Sequence, residues 1–84
     1  MYNIVITASA EKNIRRLSSP LKNRVNDAIF DLADEPRPIG AIKVKSEDGV
    51  WRIRIGDYRI GYSIDDITQV ITILRVGHRS DFYS

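Results

Sequence analysis

Every positively charged residue after position 50 is an arginine: Arg52, Arg54, Arg59, Arg75 and Arg79, whereas all the lysines precede position 46. A guanidinium presents a planar fork of donors that matches a phosphate in bidentate fashion, stacks on nucleobases and keeps its proton at any physiological pH. The single histidine, His78, lies beside Arg79. Its unperturbed pKa near 6.5 lets it give or take a proton at neutral pH. Fixed cations with one titratable imidazole suit the binding of an anion and, where a proton must move, acid–base chemistry on it. Other chemistries are excluded, because the chain has no cysteine and only one histidine. Disulfide frameworks, thiol catalysis and Cys/His zinc sites all need more.

These side chains must be held by a small structure. The chain has 84 residues, enough for a single domain spanning residues 1–84, with 43% hydrophobic and 29% charged residues as in ordinary globular proteins. The net charge of +2 says less than the placement of the charges. No apolar run approaches the roughly 20 residues that cross a bilayer, and Met1-Tyr2-Asn3 opens no basic-then-hydrophobic leader. A cytoplasmic protein with no membrane contact is expected.

Tyr2, Ile4 and Ile6 alternate with more polar residues and predict a first strand. Thr7 or Ser9 can cap a short helix carrying Ala10, Ile14 and Leu17 at i, i+4, i+7. Ser19, as N-cap with Pro20 in the first turn, starts a second helix whose stripe is Leu21, Val25, Ala28, Ile29, Leu32 and Ala33. It ends near Asp34-Glu35, because Pro36 and Pro38 cannot continue it. Segments 42–45, 50–55, 58–64 and 69–76 then read as strands, separated by the turn residues Glu47-Asp48-Gly49, Gly56-Asp57 and Ile64-Asp65-Asp66. The order β-α-α-β-β-β-β predicts an α+β fold, with two N-terminal helices packed on one face of a mostly antiparallel sheet of four to five strands.

With Gly56-Asp57 as a two-residue loop, Ile55 pairs with Tyr58, Arg54 with Arg59, Ile53 with Ile60, Arg52 with Gly61 and Trp51 with Tyr62. Trp51, Ile53, Ile55, Tyr58, Ile60 and Tyr62 then share an apolar face that packs on the helices. Arg52, Arg54 and Arg59 share the other. Like charges directly opposite one another destabilise a sheet, so phosphate binding explains the cluster better than folding does. The other explanation is ordinary surface pairing with Asp57, Asp65, Asp66 and Asp81, each pair worth about 0–1 kcal/mol. On the next strand, unbroken alternation places Ile71, Ile73 and Arg75 on the core side, leaving Arg75 outside the cluster. The same parity carries His78 onto the arginine face, with Arg79 at the bend that follows.

The run Trp51-Arg52-Ile53-Arg54-Ile55-Gly56-Asp57-Tyr58-Arg59-Ile60-Gly61-Tyr62 resembles the central hairpin of the RelE/ParE toxin superfamily. Gly77-His78-Arg79 followed by Phe82-Tyr83 resembles its C-terminal motif, and the likeness extends from Tyr2 to Tyr83 through the Glu35-Pro36-Arg37-Pro38 break. The resemblance implies a ribosome-dependent endoribonuclease that cuts messenger RNA in the decoding site without metal or other cofactor. In that reaction the 2′-hydroxyl attacks the scissile phosphate, a base and an acid move protons, and cations stabilise the transition state. Carried over by position, Arg52, Arg54, Arg59 and Arg79 bind the scissile phosphate and its neighbours; the expected catalytic residues are Arg54, Arg59, His78, Arg79 and Tyr83, with Arg52, Lys43 and Lys45 binding substrate. RelE itself carries lysines where this chain has Arg52 and Arg54, and arginine cannot release a proton. Proton transfer is therefore expected of His78, with Tyr83, which stacks on or orients the RNA, as the weaker candidate because a phenol needs neighbouring cations to become a useful base.

The resemblance also implies a cognate antitoxin, together with the ribosome and messenger RNA as partners and no direct DNA binding without the antitoxin. Two other functions stay open. The ParE branch of the superfamily poisons DNA gyrase by binding, and a non-catalytic RNA-binding module would use the same cations without a proton-transfer group.

Overall fold

The computed structural model describes residues 1–81. Strand β1 (Asn3–Ile6) runs into Thr7, which joins helix to sheet. Its Oγ1 accepts from the Ala10 amide at 3.1 Å, capping helix α1 (Ala8–Arg15), and donates to the Leu74 carbonyl at 3.1 Å. Helix α2 (Ser19–Leu32) has Ser18, one residue before the expected cap, at its N-cap and Pro20 in its first turn, where a missing N–H is harmless. The chain then turns through Pro36 and Pro38 into β2 (Ile42–Lys43), shorter than the expected 42–45 segment, and continues into β3 (Val50–Ile55), β4 (Tyr58–Asp65) and β5 (Val70–His78).

The sheet order is β1-β5-β4-β3-β2, with β1 parallel to β5 and every other neighbour antiparallel. Both helices cover one sheet face. Ala10 and Ile14 from α1 and Val25, Ile29 and Leu32 from α2 join Ile53, Ile60, Tyr62, Ile71, Ile73 and Val76 in one buried cluster. Tyr62 is buried throughout, and its hydroxyl donates to the Pro36 carbonyl at 2.8 Å, fixing the break after α2 to the centre of the sheet. Among the described residues no helix is long and apolar enough to cross a membrane.

The β3–β4 register is the expected one in every pair, and Gly56 at φ +59° gives the hairpin the positive first-position φ of a type II′ turn. The β4–β5 pair is not regular. Tyr62 pairs with Ile73 and Gly61 with Arg75, which leaves Leu74 as the extra residue of a β-bulge. Unbroken alternation would bury the Arg75 charge under the helices and expose Val76. The bulge instead keeps Ile71, Ile73 and Val76 in the core and turns Arg75 over. Two placements expected from alternation are thereby corrected: Arg75 joins the row of Arg52 and Gly61, and His78 falls opposite Tyr58 on the helix side.

Candidate nucleic-acid interface

The sheet face away from the helices is built on the β3–β4 hairpin. Arg54 stands opposite Arg59, and Arg52 opposite Gly61 two residues along. The Arg59 guanidinium folds back toward the hairpin loop, donating to the Tyr58 carbonyl at 3.2 Å and the Gly56 carbonyl at 3.5 Å. Arg54 is exposed. It borders a cleft of about 300 Å³ whose lining includes Asp31, Leu32, Glu35 and Ile53. Arg52 is half-buried, and its Nη1 is buried without a hydrogen-bond partner among the described residues. A small apolar cluster of Val44, Val50 and Leu74 pins the turn after β2 onto this same face.

Two of the four carboxylates expected as surface partners, Asp65 and Asp66, are engaged elsewhere. Asp66 pairs with Arg37 at 2.8 Å and accepts from the Tyr2 hydroxyl at 2.6 Å, and the Arg37 hydrogen bond, followed by that of Tyr2, holds its carboxyl below the usual range. Asp65 accepts from the Ile67 and Thr68 amides and is lowered chiefly by its hydrogen bond to the Thr68 backbone. Among the described residues no ion pair joins Arg52 or Arg54 to a carboxylate. The face therefore carries positive charge that the fold does not neutralise at those two positions.

The remaining expected site residues separate. His78 lies on the opposite side of the sheet, its ring edge-on to Tyr58 with centroids 5.4 Å apart, beside a recess of about 370 Å³ lined by Asn13, Arg16 and Leu17 among others. Its Nδ1 accepts from the Ser80 amide at 3.2 Å and lies 2.9 Å from the Ser80 hydroxyl. An acceptor Nδ1 leaves the ring proton on Nε2. The Arg79 amide donates to the Asp57 carbonyl at 2.7 Å, which holds that exposed residue against the hairpin loop, at the loop end of the arginine face. Lys43 pairs with Trp51 in register, and its Nζ lies 5.8 Å from the centre of the indole ring, where it joins Arg37 in a cation–π contact instead of the arginine cluster. Lys45 is exposed in the turn after β2. Tyr83 lies outside the described residues.

Arg75 lies on the arginine face although alternation excludes it. The signal was present in Ile71, Ile73 and Val76, whose apolar parity breaks between Ile73 and Val76 with the charge of Arg75 inside the break. Among the described residues no group of three or more His, Asp or Glu side chains is arranged to hold a metal ion.

The chain matches the sequence model of the family described as the ParE toxin of the type II toxin–antitoxin system parDE over residues 4–83. It is 34% identical over 83 residues to toxin RelG of Mycobacterium tuberculosis, covering 98% of this chain and 95% of the relative. Toxin RelE of the same organism is 30% identical over 83 residues, with coverage of 98% and 86%. Among solved structures, the fold superposes on the toxin–antitoxin complex RelBE2 from Mycobacterium tuberculosis with a TM-score of 0.80, at 31% identity over 93% of this chain and 98% of that one. On the archaeal RelE–RelB complex from Pyrococcus horikoshii OT3 it superposes with a TM-score of 0.83, at 28% identity over 95% of this chain and 97% of that one.

Proposed function

The chain belongs to the ParE toxin family of type II toxin–antitoxin systems, within the RelE/ParE superfamily, and from that premise we propose that it is a ribosome-dependent endoribonuclease restrained by a cognate antitoxin. The observation that carries this reading is the opposition of Arg54 and Arg59 beside an Arg52 with a buried, unpartnered nitrogen. Like charges directly opposite one another disfavour the folded sheet, whereas a bound phosphodiester gains a set of charge-assisted donors.

In the proposed reaction the message 2′-hydroxyl yields its proton to water as its oxygen attacks the adjacent phosphorus, and the 5′-oxygen takes a proton from water as its bond to phosphorus breaks, leaving a 2′,3′-cyclic phosphate and a 5′-hydroxyl. Arg54 and Arg59 hold the non-bridging oxygens as negative charge grows on them, while Arg52, Arg79 and Lys45 hold flanking phosphates. Guanidinium groups do not carry protons between atoms at neutral pH. Tyr83 is the side chain proposed to orient the RNA and assist proton transfer. His78 is given no such part, because it stands on the other side of the sheet with Nδ1 already engaged by Ser80. Lys43, stacked over Trp51, is likewise withdrawn from the substrate-binding set.

The antitoxin reading draws on the relatives, whose structures are toxin–antitoxin complexes. The deciding experiment is primer extension on messages from cells expressing the chain alone. New cuts inside translated codons that require ribosome engagement are expected. Intact messages with gyrase-linked DNA breaks would move the chain to the gyrase-poisoning branch.

A further inference from the structure

The β-bulge does more than bury Val76. It brings Arg75 to the arginine face opposite Gly61, whose other neighbour in the row is Arg52. Adjacent strands lie about 4.8 Å apart, so the Arg52 and Arg75 backbones are about 10 Å apart across a residue with no side chain. Arg75 crosses that gap: its Nη2 meets Glu47 Oε2 at 2.9 Å, on the turn after β2. Leu74, the extra residue of the bulge, packs with Val44 and Val50 at the two ends of that turn. Bulge and turn thus form one unit that presents an arginine and a carboxylate to each other on the cationic face.

We propose that Arg75 is a further phosphate-binding arginine of this face and that Glu47 occupies, in the free protein, the position an RNA phosphate takes on binding. The inference rests on the ribonuclease reading and names a residue and an exchange within that site. A carboxylate edge and a phosphate edge offer a guanidinium the same two-oxygen geometry. Both partners are accessible, with side-chain exposures of 29% for Arg75 and 39% for Glu47, and an ion pair of that kind contributes only about 0–1 kcal/mol. Arg52 stands in the same row on the far side of Gly61, so the two guanidinium groups belong to one strip of the face. The exchange replaces a surface carboxylate by a phosphate at the Arg75 guanidinium, in the row that also holds Arg52. It also gives the unbound face an internal anion that a competing polyanion must displace.

The test uses the whole chain and a fluorescein-labelled single-stranded RNA dodecamer, with anisotropy measured across a salt series for wild type, Glu47→Gln, Arg75→Ala and the double variant. Glu47→Gln is expected to bind about fivefold more tightly at low salt, the factor matching loss of a competing surface pair. The slope of log affinity against log salt should steepen by about 0.7, because Arg75 then releases a counterion of its own. Arg75→Ala should weaken binding, and adding Glu47→Gln to it should restore nothing. Because the first effect is a gain, unfolding cannot mimic it. An equal gain from Glu47→Gln with and without Arg75, or no gain at all, overturns the proposal while leaving the ribonuclease reading in place. Failure of all four chains to bind RNA, with no cutting of message on purified ribosomes, overturns both.

Discussion

Arg54 and Arg59 stand opposite each other, an arrangement of like charges that a sheet disfavours and that the proposed ribonuclease would use to hold the scissile phosphate. Arg54→Ala is accordingly expected to hold or slightly raise the melting temperature while reducing single-turnover cleavage about 10²-fold or more, the scale of a lost transition-state donor. Unfolding of this variant would mean that Arg54 supports the hairpin and not the substrate. His78 makes the opposite case. Its ring is packed against Tyr58 on the helix side, so His78→Gln should cleave within about threefold of wild type, whereas loss of a general acid or base costs about 10²–10⁴-fold. Single-turnover rates on programmed ribosomes separate the two outcomes, and a loss in the larger range would return the imidazole to the reaction.

The hairpin and the bulge differ in how far sequence reveals them. The three arginines of β3 and β4 were legible as one face because a two-residue loop at Gly56-Asp57 fixes pairing and alternation does the rest. A bulge adds one residue to one strand, and its position is chosen by competition among side chains for the core, in which burying Val76 in place of Arg75 decides the outcome. Every residue after Leu74 changes side, so simple alternation puts Arg75 and His78 on the wrong faces. The partner of β1 was also illegible, since alternation marks a strand without naming its neighbour. At this scale the central strand is the place to perturb stability. Ile60 is fully buried opposite Ile53, and Ile60→Ala should cost about 2–5 kcal/mol in a denaturant titration. Burial pushes the neighbouring Tyr62 hydroxyl up to about 12 from its ordinary value of 10.0. A phenol whose folded pKa is raised contributes stability that is complete below pH 10 and is lost as the pH rises toward 12. Urea midpoints should therefore fall between pH 9.5 and 11.5 in wild type and stay flatter in Tyr62→Phe, and parallel curves would detach the effect from Tyr62.

For the molecule as a whole, the cationic face and the helix-covered face are separate surfaces on one thin sheet. Expression of the chain alone should arrest growth, and co-expression of its antitoxin should lift the arrest; unimpeded growth with intact protein present would count against a toxin. The parallel pairing of β1 with β5 has a consequence of another kind, in the order of assembly. The β3–β4–β5 meander and the helix pair close through short connections, but Thr7 and Leu74, which bond across the first and last strands, are 67 residues apart. Closing that loop is entropically the most demanding step and is rewarded only when β5 is already in the sheet. Strand β1 should therefore dock late in folding and open early. Its edge position, with Val5 and Ile6 about half exposed, leaves little to hold it against local unfolding. Native-state hydrogen exchange should find the β1 amides exchanging at lower opening free energy than those of β3 and β4. Uniform protection across the sheet would instead mean that the first strand is bound into a single cooperative unit from the outset, and that the last contact made along the chain is as hard to undo as the first.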